Sequence, residues 1–214
     1  MPRFDACIFD LDGLLLDTER LAIAAAHETL TSLGLHRIEG LFESLVGRDE
    51  VTGARVIAQA YGNDFPSDDF GRAWSARFAA RLDRGIPLRP GAADLLGCLA
   101  EKAVPCAIAT SSQRQSAHRK LAQAGLAHHF RAVVTYDCVK RPKPAPEPYL
   151  LAAERLGFAP ARCIAFEDSD PGAEAAARAG MVVVQVPDML ATDGPHADHL
   201  APDLLTGARM AGLI

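Results

Sequence analysis

The chain has 214 residues, 49% of them hydrophobic and 23% charged, which excludes a disordered polymer and supplies apolar surface for a sizeable core with a smaller domain inserted. A formal net charge of −5 argues against a nucleic-acid partner, whose phosphates call for a basic surface. No apolar run reaches the roughly 18 to 20 residues of a membrane span, so no membrane partner is expected, and MPRFDACIFD lacks the apolar segment and cleavage site of a secretory signal, which predicts a cytoplasmic protein.

The first predicted strand is the apolar run of IFDLDG, which ends in two carboxylates, Asp10 and Asp12, with Gly13 behind them. Residues 18–84 then hold no strand-like run. Their amphipathic stretches, LAIAAAHETLTSLGL, VTGARVIAQAYG and FGRAWSARFAARL, predict a helical domain inserted after the first strand, entered and left through residues 13–17 and 85–89. Trp74 and Phe78 are spaced i, i+4 and are expected to pack within that domain.

From there the pattern alternates. Short continuous apolar runs at 104–110 (VPCAIAT), 132–135 (AVVT), 163–167 (CIAFE) and 181–186 (MVVVQV) suit strands buried on both faces of a parallel sheet. Helical periods at 92–103, 114–124, 146–156 and 172–179 separate or precede them, the last three ended by Gly125, Gly157 and Gly180. The tail from Pro187 looks like closing segments rather than a domain. The expected architecture is α/β, a doubly wound parallel sheet made of residues 1–16 and 86–214, with residues 17–85 as the inserted α-helical domain. Five scattered cysteines form no C-x-x-C pair, and Cys7, Cys106 and Cys163 sit in or beside strand-like runs, where a thiol serves as a small core side chain.

In a doubly wound sheet the functional residues gather past the carboxyl ends of the strands. The predicted strand ends offer Asp10 and Asp12, then Thr110, Ser111 and Ser112, then Lys143, then Glu167 and Asp168. Taken singly, each has a plainer use: Thr110 and Ser111 suit a helix cap, Lys143 a solvated loop, Glu167 and Asp168 the first turn of a helix. Together they form a carboxylate cluster that needs positive charge, from Lys143 and from a hard divalent cation. Mg²⁺ takes oxygen ligands and fits Asp10, Asp168 and Glu167, whereas the absence of His and Cys from the cluster disfavours zinc. Metal, hydroxyls and lysine around one crevice suit a phosphoryl group.

FDLDGLLLDTE, IATSS, KPAPEPY and FEDSDPG, in that order and with a helical insert after the first, resemble the four motifs of the haloacid dehalogenase-like superfamily in its phosphatase and phosphomutase branch. The resemblance spans residues 4 to 188 and implies a phosphoric monoester hydrolase with a helical cap, acting on a small phosphorylated metabolite. It implies Asp10 as nucleophile, Asp12 as acid and then base, Thr110 and the N–H groups around Ser111 as phosphoryl holders, with Ser112 beside them, and Lys143 as counter-charge. Mg²⁺ would be bound by Asp10, the carbonyl of Asp12 and Asp168, with Glu167 close by. Dehalogenases of the family lack the second aspartate, which this chain keeps. Sugar phosphomutases similar to β-phosphoglucomutase carry a histidine where this chain has Ala22, and Ser-Lys where it has Ser112-Gln113, so a phosphate-holding cation is expected to be missing and a hydrolase is favoured. Arg48 stands where relatives place a substrate-facing loop of the cap. No motif residue is lost, which sets aside a purely phospho-ligand-binding domain, and the chain is compatible with a monomer.

Overall fold

The computed structural model of the chain describes residues 4–46 and 50–214. Six parallel strands, β1 (Ala6–Phe9), β2 (Cys106–Ala109), β3 (Phe130–Val134), β4 (Cys163–Glu167), β5 (Val182–Gln185) and β6 (His199–Leu200), make one sheet in the order β3-β2-β1-β4-β5-β6. Helices α1 (Thr18–Ser32), α2 (Glu50–Tyr61) and α3 (Ser67–Leu82) follow β1, and α4 (Ala92–Glu101) leads into β2. After β2, β3 and β4 come α5 (Arg114–Gln123), α6 (Glu147–Leu156) and α7 (Asp170–Arg178), and α8 (Leu204–Met210) follows β6. The tail therefore supplies an edge strand and a helix that its composition did not suggest.

Side chains alternate across the sheet, and the two faces differ in bulk. Phe9, Ile108, Ile164 and Phe166 join α4, α5 and α8 in one buried cluster, where the Phe9 and Phe166 rings stack with centroids 5.0 Å apart. On the other face Ala6, Ala107, Ala109 and Ala165 meet Ala152 and Ala153 of α6 and Ala173, Ala175 and Ala176 of α7. Small residues on both sides let these two helices lie close to the strands. That closeness brings Tyr149 of α6 to the site.

Helices α1, α2 and α3 enclose an apolar cluster of their own, with Ile23, Leu30, Phe42, Ile57, Phe70 and Trp74. The Trp74 indole N–H donates to the carbonyl of Ala22, 2.8 Å away, and so ties α3 to α1. Phe78 does not share this cluster. One turn further along α3 it packs against the main core instead, which corrects the expectation that both aromatics serve the insert.

The segments that lead from β1 into α1 and from α3 into α4 are pinned to each other. Asp17 N–H donates to Pro87 O and Arg89 N–H to Leu15 O, both at 2.9 Å, and Leu14, Leu15 and Leu16 are buried beneath them. From β1 the chain moves to β2 and β3 on one side, then returns to β4, β5 and β6 on the other. The carboxyl ends of β1, β2 and β4 thus flank the point where the strand order reverses, the expected place for a ligand crevice.

Candidate active site

Phe9 pairs in register with Ile108 of β2 and Phe166 of β4, so Asp10 emerges one residue past that level, beside Glu167. Its N–H still donates to Phe166 O at 3.0 Å, which fixes the backbone while the side chain is free to leave the sheet. The chain then turns at Gly13, with φ +82° and its N–H bonded to Leu16 O at 2.9 Å. That φ favours glycine. Space demands it too, because a Cβ at position 13 would overlap Asp168 Oδ2.

Asp10, Glu167 and Asp168 each present a carboxylate oxygen, and these oxygens all lie within 4.8 Å of one another. Lys143 Nζ sits 2.5 Å from both Asp10 Oδ1 and Glu167 Oε1. Glu167 is heavily committed: Oε1 also accepts from the Tyr149 hydroxyl at 2.6 Å, and Oε2 accepts from Asp168 N–H at 3.1 Å and from the Ser169 hydroxyl at 3.1 Å. It acts as a buried counter-ion that holds Lys143 in place.

Three buried carboxylates surround this ammonium, which bonds Asp10 and Glu167 but not Asp168, so positive charge is short. Burial, with Glu167 and Asp12 nearby, pushes Asp10 up to about 7 against the pull of Lys143. Burial and the charges of Asp10 and Glu167 push Asp168 well above the usual carboxylate range. Burial opposes the Lys143 ammonium, but Asp10 and Glu167 outweigh it and raise the lysine. Buried Tyr149, beside Glu167, is also raised well above its ordinary value and so remains a neutral donor.

Asp12 occupies a separate setting. Its Oδ1 accepts from the Thr18 hydroxyl and from Lys120 Nζ, both at 2.6 Å, and its Oδ2 accepts from the Ser112 hydroxyl at 2.7 Å. Lys120 Nζ also donates to Ser112 Oγ at 3.0 Å. Burial would raise the Asp12 carboxyl, but Lys120, Thr18 and Ser112 outweigh it and lower it. Two aspartates two residues apart are therefore driven in opposite directions. Buried Thr110 directly follows β2, and its hydroxyl accepts from Ser112 N–H at 3.0 Å. It does not cap α5, whose N-cap position is Gln113. Half-buried Ser111 lies between them.

The structure thus brings together Asp10, Asp12, Ser112, Lys143, Glu167 and Asp168, with Thr110 and Ser111 on the adjoining loop, while Arg48 lies outside the described residues. Position 113 is glutamine, and a different cation, Lys120 of α5, reaches Asp12 and Ser112, where none was expected. Thr18, Lys120 and Tyr149 were not legible as site residues. A signal for Lys120 did exist: it shares the buried face of α5 with Ala117 and Leu121, at i−3 and i+1, where an apolar residue is expected.

A divalent cation fits what is here. All the donors are oxygens, Asp10 and Asp168 are buried, and a carboxyl raised by neighbouring charge is what a cation would relieve. Among the described residues no helix is long and apolar enough to cross a membrane.

The family model described as haloacid dehalogenase-like hydrolase matches residues 7–186. A phosphorylated carbohydrates phosphatase of Thermotoga maritima is 33% identical over 177 residues, covering 83% of this chain and 82% of that protein. The fructose-1-phosphate phosphatase YqaB of Escherichia coli is 35% identical over 184 residues, covering 86% of this chain and 97% of its own. The crystal structure of CbbY from Rhodobacter sphaeroides in complex with phosphate superposes with a TM-score of 0.79 at 30% identity, covering 98% of this chain and 99% of that one.

Proposed function

This chain belongs to the haloacid dehalogenase-like hydrolase family, and we propose that it is a Mg²⁺-dependent phosphatase that hydrolyses a small phosphomonoester, a sugar phosphate or nucleoside monophosphate, through an aspartyl-phosphate on Asp10. The observation that carries this reading is the separation of the two aspartates: Asp10 is held by Lys143 beside the acidic cluster, and Asp12 by Lys120, Thr18 and Ser112. Two carboxylates with such different surroundings suit two different tasks.

In the first step a carboxylate oxygen of Asp10 bonds to phosphorus as the ester P–O bond breaks, and Asp12 gives a proton to the departing oxygen. In the second, Asp12 takes a proton from water, whose oxygen attacks phosphorus and releases phosphate from Asp10. Thr110 and the N–H groups around Ser111, with Ser112 beside them, hold the phosphoryl oxygens, and Lys143 offsets the charge that gathers on them. Asp10, Asp168 and the carbonyl of Asp12 would hold Mg²⁺, with Glu167 behind them. Bound there, the ion supplies positive charge that offsets repulsion between an anionic nucleophile and an anionic substrate.

We further assign residues 17–85 as a cap domain over a core of residues 1–16 and 86–214, and Arg48 as a substrate-binding residue. The separate apolar cluster of α1, α2 and α3 supports that division. Five free cysteines suit a reducing cytoplasm, and the acidic balance suits a small metabolite rather than nucleic acid.

The test is a panel of phosphomonoesters with p-nitrophenyl phosphate as the general probe. Hydrolysis with Mg²⁺ is expected, and its loss in Asp10→Asn and in chelator. Activity that survives either change overturns the assignment. With β-glucose 1-phosphate, free phosphate is expected to form faster than glucose 6-phosphate; the reverse would make the protein a mutase.

A further inference from the structure

Helix α5 buries Ala117, Lys120 and Leu121 on one face. The two apolar residues belong to the main core, yet the lysine between them is only 6% exposed at its side chain. An ammonium in that place is costly unless it is paired, and a leucine would fill the same face without that cost. Its partners are specific. Nζ donates to Asp12 Oδ1 at 2.6 Å and to Ser112 Oγ at 3.0 Å, while the Phe78 ring of α3 covers it with its centroid 5.9 Å away. That separation is within the range of a cation–π contact. The turn after β1, the loop after β2 and helix α3 thus meet on one nitrogen.

We propose that Lys120 is a positioning residue for the chemical step: it fixes the Asp12 carboxylate at the orientation from which its proton reaches the departing oxygen. This rests on the reading of Asp12 as acid and base. The hydroxyls of Thr18 and Ser112 can rotate, and each supplies a single hydrogen bond to Asp12. The ammonium adds a charged contact from a third direction, and by bonding Ser112 as well it fixes one of those hydroxyls. Lys143 does different work, since its contacts are Asp10 and Glu167. Each aspartate of the pair accordingly has its own lysine, Lys120 from α5 and Lys143 from the loop before α6.

The experiment compares kcat/KM for fructose 1-phosphate, whose alkoxide must be protonated as it leaves, with that for p-nitrophenyl phosphate, whose phenolate departs without a proton. For an initial transfer to Asp10, kcat/KM reports that step. In Lys120→Met the value for fructose 1-phosphate is expected to fall about 100-fold and that for the nitrophenyl ester by less than about 5-fold, the difference a general acid supplies. Lys120→Gln is one atom shorter but keeps an uncharged N–H donor, so it guards against misfolding of the methionine variant and should show the same pattern with a smaller loss. Circular dichroism and thermal melting check that each variant is folded. Equal losses on both esters, or no loss on either, overturn the role of Lys120 while leaving the phosphatase reading in place. Failure of the unsubstituted protein to hydrolyse either ester overturns the phosphatase reading and the role of Lys120 with it.

Discussion

Gly172, in the first turn of α7, lies directly against the carboxylate of Glu167: a Cβ there would overlap Cδ and both terminal oxygens of that side chain. Helix propensity alone favours Gly172→Ala by about 1 kcal/mol. The overlap should win, because Glu167 is fully buried and held by Lys143, Tyr149 and Ser169, so it has nowhere to withdraw. We expect Gly172→Ala to lower stability by about 1–3 kcal/mol, the usual cost of overpacking a core. Displaced Lys143 should lower kcat by about 10- to 100-fold. Urea denaturation and steady-state kinetics check both, and a stabilised, active alanine variant would contradict the packing.

Tyr149 buries its hydroxyl against Glu167 Oε1 at 2.6 Å. Tyr149→Phe keeps the ring in the alanine-lined face and removes only the donor. A hydrogen bond to a charged group contributes about 1.5–3 kcal/mol, so the variant should lose stability in that range. Lys143 still holds the same oxygen at 2.5 Å, so kcat should change by less than about 10-fold. The contrast between a clear stability loss and a small kinetic one is the outcome to measure.

Asp203 caps α8, accepting from Thr206 N–H and Thr206 Oγ1, both at 2.8 Å. Those two bonds hold its carboxyl below the usual range. Asp203→Ala should cost about 1 kcal/mol at neutral pH, the ordinary value of such a cap. A depressed folded-state pKa gives stability that is complete above the unfolded value of about 3.9 and is lost as pH falls through the folded value. The gap between wild type and Asp203→Ala in denaturation midpoint should accordingly be constant near neutrality and narrow below about pH 4. Asp203→Asn keeps an acceptor without a charge and should narrow the gap at every pH.

Much of this architecture is legible in the sequence because parallel strands buried on both faces are continuous apolar runs, as CIAFE is for β4. β6 has no such signature: His199 and Leu200 are two residues at the sheet edge, and Leu200 is 41% exposed. Asp10, Asp12, Lys143, Glu167 and Asp168 stand out because strand ends are where a doubly wound fold collects chemistry. Lys120 does not, since it lies one full strand-end loop and two helical turns beyond Thr110, and only tertiary packing carries it back to Asp12. Phe78 misleads for a related reason. Its i, i+4 spacing from Trp74 is correct for a shared stripe, but one turn along α3 the neighbour changes from the cluster of α1, α2 and α3 to the main core and Lys120.

Asp168 gives the sharpest test of the metal. Its carboxylate is buried beside Asp10 and Glu167, and Lys143 bonds those two instead. Exchanging it for asparagine removes a repelling charge from the metal-free protein, so Asp168→Asn should melt higher than wild type in chelator. Adding Mg²⁺ should reverse the order. A ligand at 100 times its dissociation constant stabilises by about 2.7 kcal/mol, which for a chain of this size raises the melting temperature by about 5–10 °C. Wild type should show that rise and Asp168→Asn little of it, since one of the proposed ligands is weakened. Melting is read without turnover, so the result bears on the acidic cluster itself rather than on any step of hydrolysis. Equal Mg²⁺ responses in the two proteins would mean that the ion acts elsewhere on the chain.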